Sequence, residues 1–464
     1  MYVCGLTPSA EAHLGHARSF LFFDLLRRYL THVGYRVTYV QNVTDIDDRS
    51  INRAKETGED WRTIVHGYYA SFKASMHRLD VREPDVEPYA TQYIEPIQTM
   101  IRDLIARAHA YVAGDGIYYR VKAFAGYGRL SNRDVEELEV GARVEVGEEK
   151  DDPLDFALWK FAKPGEPRWP FEGYADGRPG WHIECSAMSR ALLDPDGSGF
   201  DIHGGGADLI FPHHENEIAQ SEPLMAHPPM ANVWVHGGLL LFDNRKMSKS
   251  LGNFEPLAEL LLRHDPQAVR TLFLQTGYSK VMNFTEESIG AAQRQLERLR
   301  NAYRTLRAQS EPIPTDLRST GLIARLEGAL DENMNAAVAL AEVLEFASTC
   351  DAQATRVGAG AALYEYAYAL TLLGIEPKET WLHEPEMRLP DDLLDRLCRE
   401  LGGNAFGEFD GATAESAIER VLTARRDARA AKDFATSDRL RDALLHCGIA
   451  IHDTKEGSTW SIAG

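Results

Sequence analysis

The 464-residue sequence lacks the features that would place it in a membrane or outside the cell. No apolar run approaches the roughly 20 residues of a membrane span, and the first residues do not resemble a secretory segment. Cysteines are few and odd in number, which argues for a reducing compartment rather than a disulfide framework. They are Cys4, Cys185, Cys350, Cys398 and Cys447. We therefore expect a cytoplasmic protein without a membrane segment.

Cations are also scarce relative to anions. The chain has 50 Lys and Arg against 70 Asp and Glu, a net charge of −20. Because phosphate binding draws on excess Lys and Arg, this balance argues against indiscriminate affinity for nucleic acid. Two stretches, 294–307 and 420–432, are nevertheless locally basic. Each is either an RNA contact or a solvated helix face.

An alternation of strand and helix opens the chain. The apolar pattern predicts a strand over 1–5, a helix that stops at Gly34 and a second strand over Arg36–Gln41. Such a βαβ unit implies an α/β fold with a parallel sheet and a ligand crevice at the carboxyl ends of its strands. Between Gly114 and Pro179 short strands and turn residues replace this pattern, which indicates an insertion.

The chain beyond residue 255 is predicted to be almost entirely helical, as a bundle followed by a smaller segment that ends in a short β-like piece. The predicted helices share an amphipathic pattern and cover 286–308, 322–350, 358–374, 391–400, 413–431 and 434–446.

Two polar signatures point to adenylate chemistry. His13-Leu14-Gly15-His16 falls at a predicted helix start, and Lys246-Met247-Ser248-Lys249-Ser250 forms a basic loop. Imidazoles at a helix N-terminus can donate to phosphate oxygens, and mobile lysines can stabilise pyrophosphate as it leaves. Taken singly, the first is equally a pair of loop histidines and the second an exposed basic turn.

A third constellation has the chemistry of a metal site. Cys4 ends the first strand, Cys185 lies near a predicted helix start, and His213 and Glu217 share a helix face four residues apart. Two thiolates, an imidazole and a carboxylate suit Zn²⁺. Spacing alone leaves His214 as an alternative to His213, and buried cysteines that serve as small apolar residues as the alternative to a metal site.

A fourth group of polar residues follows two predicted strands, at 42–48 and 203–208. Carboxylates just past strand ends can bind an ammonium group or ribose hydroxyls, and glycines let the backbone approach a ligand. Surface acidic turns are the alternative.

Six motifs in chain order closely resemble the cysteinyl-tRNA synthetase family of bacteria, which belongs to the class I aminoacyl-tRNA synthetases. They are MYVCG, HLGHAR, YVQNVTDIDD, GWHIECSAM, DIHGGGADLIFPHHENEIAQSE and KMSKSLGN. The resemblance implies a Rossmann-like parallel-sheet catalytic domain split by an insertion, then an α-helical bundle and a small C-terminal anticodon-binding domain. The implied domains are catalytic halves at 1–95 and 181–240, a connective insertion at 96–180, a stem-contact region with the lysine loop at 241–285, a bundle at 286–385 and the anticodon-binding domain at 386–464.

The resemblance also implies an activity and its site residues. The enzyme would activate L-cysteine with ATP and Mg²⁺ and transfer it to tRNA(Cys), as a monomer. The implied ligands of one Zn²⁺, which binds the substrate thiolate, are Cys4, Cys185, His213 and Glu217. The implied ATP-binding and catalytic residues are His13, Gly15, His16, Lys246 and Lys249, with Gly15 in binding alone. The implied cysteine pocket is Thr44, Trp181, His203 and Asp208, and the implied tRNA contacts are Arg429, Phe434, Asp438 and Asp453.

Two other functions compete with this interpretation. One is a tRNA-independent cysteine ligase of the mycothiol pathway, against which Glu217 as a fourth ligand and the long C-terminal region argue. The other is a zinc-stabilised nucleotide-binding protein without catalysis. Relatives usually carry a short leader before the first zinc cysteine, so we expect a chain that starts at Met1 to bind zinc more weakly than one with the leader.

Overall fold

The computed structural model describes residues 1–134, 149–246, 255–310, 319–382, 392–401, 413–454 and 457–462. The chain forms two compact units, Met1–Pro377 and Lys378–Gly464. The predicted boundaries of the six domains stay predictions. Within the described ranges, no helix has the length and apolar character needed to cross a bilayer.

The first unit contains all the parallel strands. Its strands are β1 (Tyr2–Leu6), β2 (Val40–Val43), β3 (Ala110–Val112), β4 (Gly116–Tyr119), β5 (Phe156–Phe161), β6 (Gly177–Pro179), β7 (Phe200–Gly206), β8 (Ala231–Gly237), β9 (Leu240–Phe242), β10 (Arg245–Lys246) and β11 (Met282–Phe284). Its helices are α1 (Leu14–His32), α2 (Asp48–Thr57), α3 (Trp61–Arg78), α4 (Ile94–Ala106), α5 (Trp181–Leu193), α6 (Glu215–Ser221), α7 (Leu257–Arg263), α8 (Pro266–Leu274), α9 (Glu286–Gln309), α10 (Leu322–Asp331), α11 (Ala336–Ser348), α12 (Cys350–Val357) and α13 (Ala359–Leu372).

The central sheet has the strand order β2-β1-β7-β8, and all its pairs are parallel. Because β1 lies between two strands and is covered on both faces, it is a nearly continuous buried run rather than an alternating one. The predicted strand over Arg36–Gln41 begins later than expected, at Val40. Its pairing with β1 begins at Val40, which lies opposite Tyr2.

The insertion forms its own antiparallel sheet, in the order β3-β4-β5-β6. Apolar residues of this sheet, including Ile117 and Trp159, pack with Ile101 of α4 and Ile183 of α5 in one core. The insertion is therefore joined by a shared core to α5, the helix that carries Cys185.

The helical prediction beyond residue 255 is largely correct, with two departures. A short strand, β11, pairs with β9 in a small sheet ordered β10-β9-β11. The helix predicted over 322–350 is broken into α10 and α11, because Asn333 and Met334 adopt positive φ values of 54° and 52°. A right-handed helix cannot pass through two left-handed residues.

The second unit is a small helical domain with a hairpin. It contains α14 (Leu393–Glu400), α15 (Ala414–Ala430), α16 (Phe434–His446) and the antiparallel strands β12 (Ile449–Thr454) and β13 (Gly457–Ile462). Apolar residues from all three helices, such as Leu397, Val421 and Leu440, form its core together with Ile449.

Candidate active site

The paired histidines form the N-terminal cap of α1. The Nδ1 atom of His13 accepts a hydrogen bond from the Gly15 amide at 3.0 Å, and that of His16 accepts one from the His13 amide at 3.1 Å. The two rings stack with centroids 3.9 Å apart. Burial, followed by the charges of His13 and Arg49, lowers the pKa of His16 to about 3. His16 is therefore neutral at physiological pH, and α1 offers its uncharged imidazole at the positive end of the helix.

A cleft of about 420 Å³ opens beside this cap. Residues 3–7 at the end of β1, the first turns of α1 and the ends of β7 form part of its wall, and residues 237–241 after β8 complete it. The cleft thus lies at the carboxyl ends of the parallel strands, where ligands bind in open α/β sheets.

Four candidate metal ligands meet beside the cleft, which Cys4 lines. The Sγ atoms of Cys4 and Cys185 are 3.8 Å apart, and Nε2 of His213 lies 3.2 Å from Oε1 of Glu217. Oε1 of Glu217 is also 3.6 Å from the Cys4 sulfur. All four side chains are buried, and one donor atom from each lies within 4.8 Å of all the others.

These separations suit a tetrahedral ion. Two sulfurs about 2.3 Å from such an ion lie roughly 3.8 Å apart, and a nitrogen and an oxygen at about 2.0 Å lie roughly 3.3 Å apart. His182 supports the set, since its Nδ1 lies 2.9 Å from Nδ1 of His213 and leaves Nε2 directed at the cluster. An orienting contact of this kind on the second ring nitrogen is usual for a histidine that binds a metal.

A second set of possible metal ligands shares residues with the first and contains His214 instead of His213. It consists of Cys4, Glu217, His203 and His214. Nε2 of His214 lies 3.4 Å from the Cys4 sulfur, while its Nδ1 contacts Nε2 of His236 at 2.8 Å. This set contains only one thiol. The first set has both cysteines and is the better donor set for Zn²⁺, which favours sulfur.

The electrostatics of the cluster favour a bound cation. Burial tends to raise the pKa of Glu217, but the charges and hydrogen bonds of His203 and His213 outweigh it and hold that pKa well below its usual range. A hydrogen bond from Cys4 lowers the pKa of Cys185 to about 6. Burial tends to lower the pKa of His213, but the hydrogen bonds and charges of Cys185 and Glu217 raise it to about 10. The buried anionic donors are thus balanced by the His213 imidazolium, a role that a bound cation would take over.

The four residues predicted to form the cysteine pocket divide into two pairs. Trp181 and Asp208 line the cleft, and the Trp181 ring lies 4.4 Å from that of His213. Thr44 and His203 are buried behind it. The Thr44 hydroxyl accepts from the Asn42 amide at 3.3 Å, and Nε2 of His203 lies 2.9 Å from Oε2 of Glu217. In the structure His203 thus supports a candidate metal ligand.

The remaining predicted residues lie in the lysine loop and in the second unit. The backbone of Lys246 ends strand β10, whereas its side chain, and Lys249 altogether, lie outside the described residues. Arg429 lies in the last turn of α15, and Asp438 lies on α16, where its carboxylate is 3.4 Å from Arg441. Phe434, which opens α16, is 62% exposed.

Asp453 belongs to β12, and only its backbone is described. Together with Arg429, Phe434 and Asp438, it stays a predicted tRNA contact.

The sequence reasoning missed two parts of the cleft. Arg49 lines it one residue beyond the polar run 42–48, which was already singled out. Residues 237–241 form another wall of the cleft, and the Gly237-Gly238 pair was the signal for a close backbone approach. The supporting histidine His182 lay inside the GWHIECSAM motif itself.

Comparison with known proteins extends over both units. Residues 1–294 match the family described as tRNA synthetases class I (C) catalytic domain, and residues 414–460 match the cysteinyl-tRNA ligase anticodon binding domain. The chain is 43% identical over 466 residues to the cysteine–tRNA ligase of Pseudomonas aeruginosa, covering 100% of this chain and 95% of the relative. It is 44% identical over 465 residues to that of Azotobacter vinelandii, with 100% and 94% covered.

The fold of this chain is similar to that of solved structures. Methionyl-tRNA synthetase of Mycobacterium tuberculosis in complex with methionyl-adenylate superposes with a TM-score of 0.59 at 14% identity, over 83% of this chain and 94% of that one. At this identity the match shows the fold alone, and it confirms the class I architecture predicted from the sequence.

Proposed function

The chain belongs to the cysteine–tRNA ligase family, and from that premise we propose how its residues divide the work of activating cysteine and charging tRNA(Cys). The observation that carries the proposal is the buried cluster of Cys4, Cys185, His213 and Glu217, whose member Cys4 lines the same cleft as the histidine cap of α1. The cluster would select the thiol, and the cap would hold the nucleotide.

We propose that these four residues hold one Zn²⁺. The fit rests on the 3.8 Å separation of the two sulfurs, the two anionic donors and the orientation of His213 by His182. When bound, zinc supplies a Lewis acid that stabilises a thiolate strongly and a serine hydroxyl poorly. An apolar pocket alone would separate such near-isosteres by only about 1–3 kcal/mol. The chain's own contribution is to fix the donors and exclude water around them.

Trp181 and Asp208 would position the substrate at the mouth of the cluster. The indole covers His213, and the Asp208 carboxylate lines the cleft where it can accept from the α-ammonium group. We assign Thr44 and His203 supporting roles, since both are buried behind these groups. The cysteine carboxylate would then face the nucleotide.

His13, Gly15 and His16 would bind ATP at the N-terminus of α1, with Lys246 and Lys249 on its phosphates. Neutral His16 stabilises phosphate as a hydrogen-bond donor rather than as a charge. In the first step the cysteine carboxylate attacks the α-phosphate in line, the α–β phosphoanhydride breaks, and pyrophosphate leaves with the bond electrons. The adenylate is then attacked by a hydroxyl of the terminal tRNA ribose, and AMP leaves. Positioning and charge stabilisation provide the catalysis, without a protein nucleophile.

We further propose that Lys378–Gly464 reads the anticodon, with exposed Phe434 stacking on an unpaired base. The match of residues 414–460 to an anticodon-binding domain supports a tRNA acceptor over the amino sugar of the mycothiol pathway. The enzyme would act as a cytoplasmic monomer, for which light scattering should give the mass of one chain.

Aminoacylation tests the proposal directly. Purified enzyme is incubated with ATP, Mg²⁺ and labelled cysteine, together with tRNA(Cys) or the amino-sugar acceptor. We expect charging of tRNA(Cys) alone and cysteine-dependent ATP–pyrophosphate exchange. Transfer to the amino sugar alone would overturn the assignment of the acceptor, and the absence of exchange would overturn the catalytic role.

A further inference from the structure

Arg18 joins helix α1 to two other segments of the chain, one of which belongs to the cleft wall. It lies on α1, two residues beyond His16, and is only 6% exposed. Its guanidinium donates to five main-chain carbonyl oxygens on two separate segments. Those on the first segment are Gly238 at 3.1 Å and Leu239 at 2.7 Å. Those on the second are Gly277, Tyr278 and Lys280.

The two segments flank one structural element. Residues 237–239 lead from β8 into β9, and residues 277–280 lead into β11, which pairs in parallel with β9. Arg18 therefore bonds to the segments that precede β9 and β11 and holds both of them against helix α1. Residues 237–241, which include the segment before β9, also line the cleft together with the histidine cap.

The guanidinium of Arg18 is well suited to hold two chain segments against helix α1. A planar guanidinium carries five N–H donors in a fixed fork, which a lysine ammonium cannot reproduce. Burial lowers the pKa of Arg18 to about 10, which still leaves it charged at neutral pH. Charge strengthens each bond to a carbonyl in this dry position. Ser19, the next residue on α1, lines the cleft. A movement of Arg18 along the helix would therefore also displace the part of the cleft that is proposed to bind the nucleotide.

We infer that Arg18 is a positioning residue that sets the separation between the α1 histidine cap and the wall formed by residues 237–241, and hence the fit of ATP. The inference rests on the proposed function, since it takes this part of the cleft to be the nucleotide site. The zinc cluster does not depend on Arg18, because its four ligands come from other segments. A defect at Arg18 should therefore separate ATP binding from cysteine binding.

The test compares Arg18→Lys with Arg28→Lys as a matched control. Arg28 lies on the same helix, is equally buried at 4%, and bonds instead to Asp24 and Glu376. Each variant is assayed by cysteine-dependent ATP–pyrophosphate exchange, by equilibrium binding of cysteine to the zinc-loaded enzyme and by thermal unfolding. We expect Arg18→Lys to raise the KM for ATP on the order of 10-fold or more, because small misplacements in a reacting geometry are costly. Its cysteine affinity should stay within about twofold of wild type, the change expected without a lost contact.

Arg28→Lys should lower the unfolding temperature without raising the KM for ATP. Equal increases in KM for both variants, or an unchanged KM in Arg18→Lys, would overturn the inference. If Arg18→Lys does not fold, Gly238→Ala replaces it, since an added Cβ would lie 2.4 Å from the Lys280 carbonyl and displace the same wall. It should give the same selective rise in KM, and a normal KM would overturn the inference. Loss of exchange by the wild-type enzyme would instead contradict the proposed function.

Discussion

His203 provides the sharpest test of how the buried cluster is built. Its Nε2 lies 2.9 Å from Oε2 of Glu217, and both side chains are fully buried, so water cannot replace the contact. Its ring also stacks on Trp234, with centroids 4.6 Å apart. The substitution His203→Phe keeps the stacked ring and removes only the hydrogen bond. Loss of such a supporting partner typically lowers metal affinity 10–100-fold, or about 1.4–2.7 kcal/mol.

The assay is zinc competition with a chromophoric chelator, and His236→Phe is the control. His236 supports His214, which belongs to the alternative donor set. If Cys185 and His213 are ligands, His203→Phe should weaken zinc binding by this factor and His236→Phe should leave it nearly unchanged. If the alternative set holds the metal, His203→Phe deletes a ligand, and His236→Phe becomes the variant with the moderate loss. A normal zinc affinity with a raised KM for cysteine would instead place His203 in the cysteine pocket.

Three further predictions concern the helix α1 and the lysine loop. Asp24→Asn should destabilise the first unit by about 3–5 kcal/mol in urea unfolding, because it leaves Arg270 buried without its carboxylate and Arg28 with only that of Glu376; a loss under about 1 kcal/mol would contradict this. Since His16 has a pKa of about 3, the pH profile of kcat/KM for ATP should show no ionisation of His16 between pH 5 and 8. An inflection near pH 6.5 that disappears in His16→Asn would refute it. Lys249→Ala should slow adenylate formation on the order of 100-fold with little change in cysteine affinity, and the reverse pattern would show that the lysine binds substrate in its ground state.

Local sequence patterns were sufficient to predict those helices and strands whose limits are set by neighbouring residues in the chain. The helix α1 follows from its apolar spacing and from Gly34, which adopts a φ of 98° just beyond its end. The start of β2 could not be predicted, because it depends on where β1 begins to pair. The break between α10 and α11 lacked a Gly or Pro signal, since Asn333 and Met334 carry the left-handed turn.

The candidate site was likewise predictable only in part from the sequence. Residue chemistry made Cys4, Cys185, His213 and Glu217 a candidate metal site, and the family resemblance implied that they are its ligands. Only the fold brings these three chain segments within reach of one another. Sequence spacing did not show which of His213 and His214 is the metal ligand. The two side chains contact different neighbours only after the turn before α6 has formed. The bonds of Arg18 to two distant segments leave no trace in the sequence, since main-chain carbonyls are the acceptors.

The central claim is that the buried cluster binds a metal ion that receives the substrate thiol. Substitution of Co²⁺ for the metal, followed by titration with cysteine and with serine in the absence of ATP, tests it most directly. We predict one Co²⁺ per chain and a sulfur-to-cobalt charge-transfer absorption that grows with cysteine and does not respond to serine. A spectrum unchanged by saturating cysteine, in enzyme that still forms the adenylate, would contradict the account.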